Sequence, residues 1–314
     1  MQFRTEIHIP PSDFRVSHTE KAMTIGSCFA ENISGCMQRS GFNVDCNPFG
    51  IVYNPLSVSR SLYRLLRNEV FDLSDIFQEK GIYSSFWHHS RFSETDPDRF
   101  LSGINTCLNK SSAFLRSAKL LIVTFGTASV YFLKETGQPA SNCHKQSADR
   151  FIRRRLTCAE IVSDWLGLLT DLQTVNPELR VLFTVSPIRH WKDGAHENQL
   201  SKSTLLLAVD EIIRENSFCS YFPSYELLLD DLRDYRFYAD DLLHPSVQAI
   251  DYIWEKFSAC FFTPETETVI REWESIQRDL NHKPFHPESE AYLHFYGKAK
   301  ESERNFKERY GFAD

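Results

Sequence analysis

The chain has 314 residues, 42% hydrophobic and 25% charged, which suits one large globular domain or a domain with an appendage. Its net charge of −7 argues against nucleic acid or an anionic membrane as a partner. No apolar run approaches the roughly 20 residues needed to span a bilayer, and Met1-Gln2-Phe3-Arg4-Thr5-Glu6 lacks the pattern of a signal peptide, so a cytoplasmic location is expected.

In chain order, Ile7-His8-Ile9-Pro10-Pro11 reads as an edge strand or an arm packed on the domain. Ala22 to Ile25 is a short apolar run that predicts a buried strand, cut off by Gly26-Ser27. Phe29, Ile33 and Met37 then recur four apart, which predicts a helix. Gly41 to Cys46 reads as a strand running into the loop Asn47-Pro48-Phe49-Gly50-Ile51-Val52-Tyr53-Asn54-Pro55. Ser57 to Arg67 has helical spacing in Leu62, Leu65 and Leu66. Residues 68 to 100 have no clear period, and Trp87-His88-His89-Ser90-Arg91-Phe92 marks a lid or a solvated excursion.

Lys119 to Thr127 is the clearest buried strand, apolar almost throughout and ending at Gly126. A second polar excursion holds Gly137-Gln138-Pro139 and Asn142-Cys143-His144-Lys145. A helix over 158 to 175, a strand from Arg180 to Pro187, a helix from Ser203 to Asn216 and a strand at Phe218 to Phe222 follow. Val247 to Phe262 is the next helix. Strands alternating with helices predict a parallel sheet covered on both faces, a three-layer α/β/α sandwich over residues 1–262. Residues 263–314 read as a C-terminal helical appendage through Trp273, Ile276 and Leu280, ending in a charged stretch that is either mobile or docked on a second subunit of a homo-oligomer.

Ser27 stands at a strand-to-helix turn, the edge at which open α/β sheets place ligands, beside helix amides that favour developing negative charge. A serine hydroxyl is a weak nucleophile and needs a base. Asp240-Asp241-Leu242-Leu243-His244-Pro245-Ser246 supplies one: Asp241 and His244 are three apart in a short segment closed by proline. A carboxylate there accepts from one imidazole nitrogen while the other takes the proton of Ser27. Taken alone, Asp-Leu-Leu-His-Pro is equally a capped helix start. Paired with Gly-Ser after the first strand it predicts a Ser-His-Asp triad and a serine hydrolase. The 8 cysteines are scattered without a C-x-x-C pair, so reduced thiols are expected, and Cys28 reads as a small buried residue at the helix start rather than the nucleophile.

Gly26-Ser27-Cys28-Phe29-Ala30 resembles the signature of the GSCFA family, within the SGNH/GDSL hydrolase group. The resemblance extends over most of residues 20 to 262, through the Asn47-to-Pro55 loop, Gly126-Thr127-Ala128, Asn142 to Lys145, Thr184-Val185-Ser186-Pro187 and Asp241 to Ser246. It implies a flavodoxin-like sandwich of SGNH hydrolase type with five parallel strands. It also implies Ser27 as nucleophile, His244 as general base and Asp241 as its orienting carboxylate. In the broader group a glycine after the second strand, matched by Gly50, and the serine's own N–H form part of the oxyanion hole. The group's asparagine after the third strand is replaced here by Ala128, in Gly126-Thr127-Ala128-Ser129. Loss of such a donor typically costs about 10²–10³ in turnover unless another replaces it. Thr127, Asn54 and Asn142 are the candidate replacements.

His144 and His190 fall near the ligand-binding edge and are candidate substrate contacts. No histidine pair has metal-ligand spacing, so neither metal nor cofactor is expected. The expected activity is hydrolysis of an acyl ester of a small molecule or a carbohydrate, the polar aromatic excursions suiting the latter. The same triad serves an O-acyltransferase. The reading of a different class is a non-catalytic binding module that lost its oxyanion donor.

Overall fold

The computed structural model describes residues 4–310. Met1-Gln2-Phe3 of the opening stretch and the last four residues of the appendage lie outside the described residues. The apolar runs form strands β1 (Ala22–Gly26), β2 (Val44–Cys46), β3 (Leu120–Phe125), β4 (Arg180–Val185) and β5 (Cys219–Tyr221). They pair in the order β5-β4-β3-β1-β2, all parallel. This is the doubly wound flavodoxin-like order, in which the chain reverses direction across the sheet between β1 and β3. The crevice at that reversal lies at the carboxyl ends of those two strands.

Side chains alternate across each strand, so each strand feeds two cores. Met23, Ile25, Leu121, Val123, Phe125, Val181 and Phe183 face one core. Helices α2 (Pro55–Arg67), α3 (Pro97–Ser117), α4 (Cys158–Val175) and α5 (Ala195–Glu215) cover it through Leu62, Ile104, Trp165 and Leu205. Ala22, Leu120, Ile122 and Leu182 face the other, under α1 (Cys28–Arg39) and α6 (Val247–Phe261), with Phe29, Ile33 and Phe257 among their contacts. The three-layer sandwich is thus built as the sequence pattern predicts.

The regions without a clear period hold the departures. Helix α3 occupies part of the aperiodic stretch; Asp96 caps it with Pro97 in its first turn, and Phe100, Ile104 and Leu108 give its buried stripe. Phe77–Glu79 and Ile82–Ser84 form a small hairpin. The excursion around residue 140 is an antiparallel sheet, in which Ser129–Leu133 pairs with both Pro139–Ala140 and Phe151–Arg155. Residues 7 to 16 are an arm rather than an edge strand: Ile7, Ile9 and Phe14 pack on the second core, and Val16 bridges to Phe262. The appendage consists of α7 (Pro264–Leu280) and α8 (Glu290–Tyr310), joined through Val269, Trp273, Ile276 and Phe306. Its charged end is helical, and Arg309 pairs with Glu272 on α7 at 2.9 Å. Among the described residues no helix is long and apolar enough to cross a membrane.

Candidate active site

Gly26 sets the geometry of the site. Its φ of +140° and its contact with β3 admit no side chain: a Cβ there would lie 2.1 Å from the Thr124 carbonyl oxygen. The Gly26 N–H donates to Asn47 Oδ1 at 2.9 Å, and the Gly26 carbonyl accepts from Val52 N at 2.9 Å. The chain then turns directly into α1. Ser27 is its N-cap, with Oγ accepting from Phe29 N at 3.3 Å, and it is almost wholly buried.

His244 and Asp241 come from the segment between β5 and α6 and form the expected pair. His244 Nδ1 and Asp241 Oδ2 are 2.6 Å apart. The other carboxylate oxygen, Oδ1, accepts from the backbone N–H groups of Leu243 and His244, both at 2.9 Å. Those two amides, then the imidazole, hold the Asp241 carboxyl down at about 2. The tight turn places Leu242 at φ +59°, a left-handed conformation that leucine rarely adopts and that strained functional loops often contain. Both side chains are about half exposed.

The imidazole's free nitrogen, Nε2, faces α1, where it lies 3.8 Å from Cys28 Sγ. No hydrogen bond joins it to Ser27 Oγ among the described residues. The serine oxygen is occupied as a helix cap, and the thiol of the next residue is in contact with the imidazole. Burial pushes the Cys28 thiol up, which keeps it protonated and poorly nucleophilic at neutral pH.

The other predicted site residues are dispersed. The Ser27 N–H donates to Thr124 O at 3.1 Å, and the Gly50 N–H to Asn47 O at 2.7 Å, so both expected backbone donors already have acceptors. Thr127 Oγ1 pairs with Ser201 Oγ at 3.1 Å and accepts from Ser129 N. Asn142 accepts from His144 N and donates to Ser90, while His144 Nε2 meets Ser85 O at 2.8 Å. Both therefore tie the two excursions together. Asn54 is different: Oδ1 caps α2 by accepting from Ser57 N at 2.8 Å, leaving Nδ2 without a partner among the described residues. The preceding Tyr53 carbonyl binds the N–H groups of Gly126 and Thr127 at 2.7 and 3.1 Å. His190 also reaches the centre. A Cβ on Gly126 would sit 3.2 Å from His190 Nε2 and 3.3 Å from Ser27 Cβ. Burial holds His190 neutral, with its ionisation pushed down to about 4.

Lys202 carries no local sequence signal, yet α5 buries it completely behind this centre. Its Nζ donates to Gly126 O at 2.7 Å and Ser186 O at 2.6 Å, joining the carboxyl ends of β3 and β4. No carboxylate pairs with it among the described residues. Burial pushes the ammonium down to about 7. Between about pH 7 and 10.5 the unfolded chain therefore holds the extra proton, so this group's contribution to stability rises with pH across that window and is flat below it. The denaturation midpoint of the wild type, measured against that of Lys202→Met from pH 6 to 10, is expected to rise above pH 7 with a slope of roughly one proton of linkage. Parallel profiles would remove Lys202 from the pH response.

Among the described residues no group of three or more His, Cys, Asp or Glu side chains is placed to hold a metal ion. The profile of the GSCFA family matches residues 21–257, and that of the GSCFA domain protein, C-terminal domain, matches residues 273–314. None of the curated proteins matches the chain. Similar solved structures include a carbohydrate esterase family 3 from Talaromyces cellulolyticus, at 9% identity and TM-score 0.34, covering 81% of this chain and 99% of that one. A Clostridium thermocellum family 3 carbohydrate esterase is 11% identical with TM-score 0.34, covering 80% and 97% respectively. An acetyl xylan esterase from Butyrivibrio proteoclasticus is 12% identical with TM-score 0.36, covering 78% and 66%.

Proposed function

The chain belongs to the GSCFA family, and on that premise we propose that it is a serine ester hydrolase of SGNH type acting on an acyl ester of a small molecule or carbohydrate. The observation that carries this reading is the 2.6 Å Asp241–His244 pair, whose free imidazole nitrogen faces the helix that Ser27 caps. Ser27 Oγ attacks the acyl carbonyl as its proton passes to His244 Nε2. The tetrahedral intermediate collapses, and the leaving alkoxide takes that proton from His244. His244 then draws a proton from water, whose oxygen attacks the acyl-enzyme; as the second intermediate collapses, His244 returns that proton to Ser27 Oγ and the acid is released. Asp241 keeps Nδ1 protonated and offsets the imidazolium charge in both halves. That no hydrogen bond joins Ser27 Oγ to His244 among the described residues fits a site that tightens on substrate, as catalytic hydrogen bonds commonly do.

The oxyanion is stabilised by the Cys28 N–H at the start of α1 and by Asn54 Nδ2, which takes the part of the asparagine absent at Ala128. The N–H of Cys28, first in α1, has no carbonyl four residues back to receive it. Asn54→Ser tests this assignment. Serine caps a helix as well as asparagine does and adds no charge at this buried position, so α2 is retained while the amide donor is lost. Turnover of p-nitrophenyl acetate is expected to fall by about 10²–10³ with the denaturation midpoint nearly unchanged. A variant with wild-type turnover would remove Asn54 from the oxyanion hole.

A non-catalytic binding role draws on one observation: the N–H groups of Ser27 and Gly50 already donate to Thr124 O and Asn47 O. Under that reading the wild type hydrolyses no p-nitrophenyl ester above the buffer rate.

A further inference from the structure

A cleft of about 500 Å³ opens beside the Asp241–His244 loop. Arg189, Trp191, Arg233, Tyr235, Tyr238 and Asp241 line it. Two links join it to the reaction centre. Asp241 forms part of its wall while binding His244. Arg189 and Trp191 flank His190, whose ring reaches the Gly126 backbone next to Ser27.

The charges in the cleft are not balanced. Asp234 is held by Arg236 at 2.8 Å, and Asp241 is committed to His244. Arg233 is only 3.9 Å from Asp230, on an exposed edge. Arg189 is half-buried and has neither an ion pair nor a hydrogen bond among the described residues, although its charge reaches the Tyr225 and Tyr238 hydroxyls. A half-buried guanidinium without a carboxylate presents a planar fork suited to an oxyanion. Around it stand aromatic rings with little packing of their own, Trp191 at 52% and Tyr235 at 74% exposure. Rings of this kind offer an apolar face with a polar edge, the surface that a sugar ring matches.

We propose that this cleft is the alcohol-side subsite of the enzyme and that it takes a sugar ring bearing an anionic substituent, with Arg189 as the anion contact and Trp191 and Tyr235 against the ring. Its position on the alcohol side rests on the hydrolase reading; its preference for an acidic sugar does not. The shared chemistry is a pyranose with an oxyanion, whether the charge is a carboxylate or a phosphate.

The test is calorimetric titration of the full chain with methyl galacturonoside, methyl galactoside 6-phosphate and neutral methyl galactoside, at fixed ionic strength. The acidic sugars are expected to bind at least about 10-fold more tightly than the neutral one, the size of a charge-assisted hydrogen bond. Of the two anions, the better binder identifies the substituent. Arg189→Ala is expected to bring the acidic-to-neutral ratio to about one, and Arg189→Lys to keep part of it, because lysine retains charge but loses the fork. Thermal melts of both variants separate this from misfolding. No preference in the wild type, or a preference that survives in a folded Arg189→Ala, overturns the subsite. Because binding is read without turnover, a protein that binds acidic sugars through Arg189 but hydrolyses no ester retains the subsite and refutes the hydrolase.

Discussion

Replacing Ser27 by alanine is expected to lower the turnover of p-nitrophenyl acetate by on the order of 10⁴–10⁶, the loss seen when a triad nucleophile is removed. The substitution also removes the cap of α1, since Phe29 N donates to Ser27 Oγ. A lost cap destabilises by only about 1 kcal/mol, so the protein should stay folded and the two effects separate in a denaturation curve. The comparison with Cys28→Ala makes the result informative. Cys28 Sγ lies 3.8 Å from His244 Nε2, the nitrogen that takes the nucleophile's proton. If proximity alone chose the nucleophile, Cys28→Ala would be the inactive variant. Burial raises the thiol instead, and a protonated thiol gives little of the thiolate that would attack. Loss of activity in Cys28→Ala with activity retained in Ser27→Ala would reverse the assignment.

Gly26→Ala is expected to have the largest effect on stability. Its Cβ would lie 2.1 Å from the carbonyl oxygen of Thr124, which is backbone in the centre of the sheet and cannot swing aside. The φ of +140° adds strain for any L side chain. Relief requires β1 and β3 to part, and the N–H of Ser27 loses Thr124 O with them. A loss beyond about 4 kcal/mol is expected, a large share of a domain's whole stability. Gly137→Ala is the control: φ is +68°, yet nothing lies within 4 Å of the added Cβ. That change is expected to cost only about 1 kcal/mol. Urea denaturation midpoints compare the two directly, and equal midpoints would mean that the close approach to Thr124 is not what requires glycine.

How much was legible in the chain follows from how local each signal is. Strands β1, β3 and β4 are buried on both faces and so appear as apolar runs. The Asp241–His244 pair was legible because three residues and a turn bring the two side chains together with no help from elsewhere. Helix α3 was missed: Asp96-Pro97 and the spacing of Phe100, Ile104 and Leu108 mark it, but the polar residues between them obscure the stripe. The antiparallel insertion was not legible: in Phe151–Arg155 only Phe151 is buried, so no alternation marks a strand. Asn54 shows itself as a cap before Pro55, but its unpartnered Nδ2 depends on the three-dimensional surroundings. Lys202 is one charged residue among several on α5. Its burial follows from two carbonyls, Gly126 and Ser186, that lie 76 and 16 residues away in sequence. Arg189 and Trp191 are likewise ordinary in the chain and become a cleft wall only when the Asp241 loop folds beside them.

The most direct test of the proposed chemistry is a fluorophosphonate label followed by peptide mass spectrometry. The label needs an activated serine hydroxyl and no knowledge of the natural ester. One adduct is expected, on Ser27, that disappears in His244→Ala while that variant remains folded. An unlabelled Ser27 in the wild type, or an adduct of equal yield without His244, would contradict it.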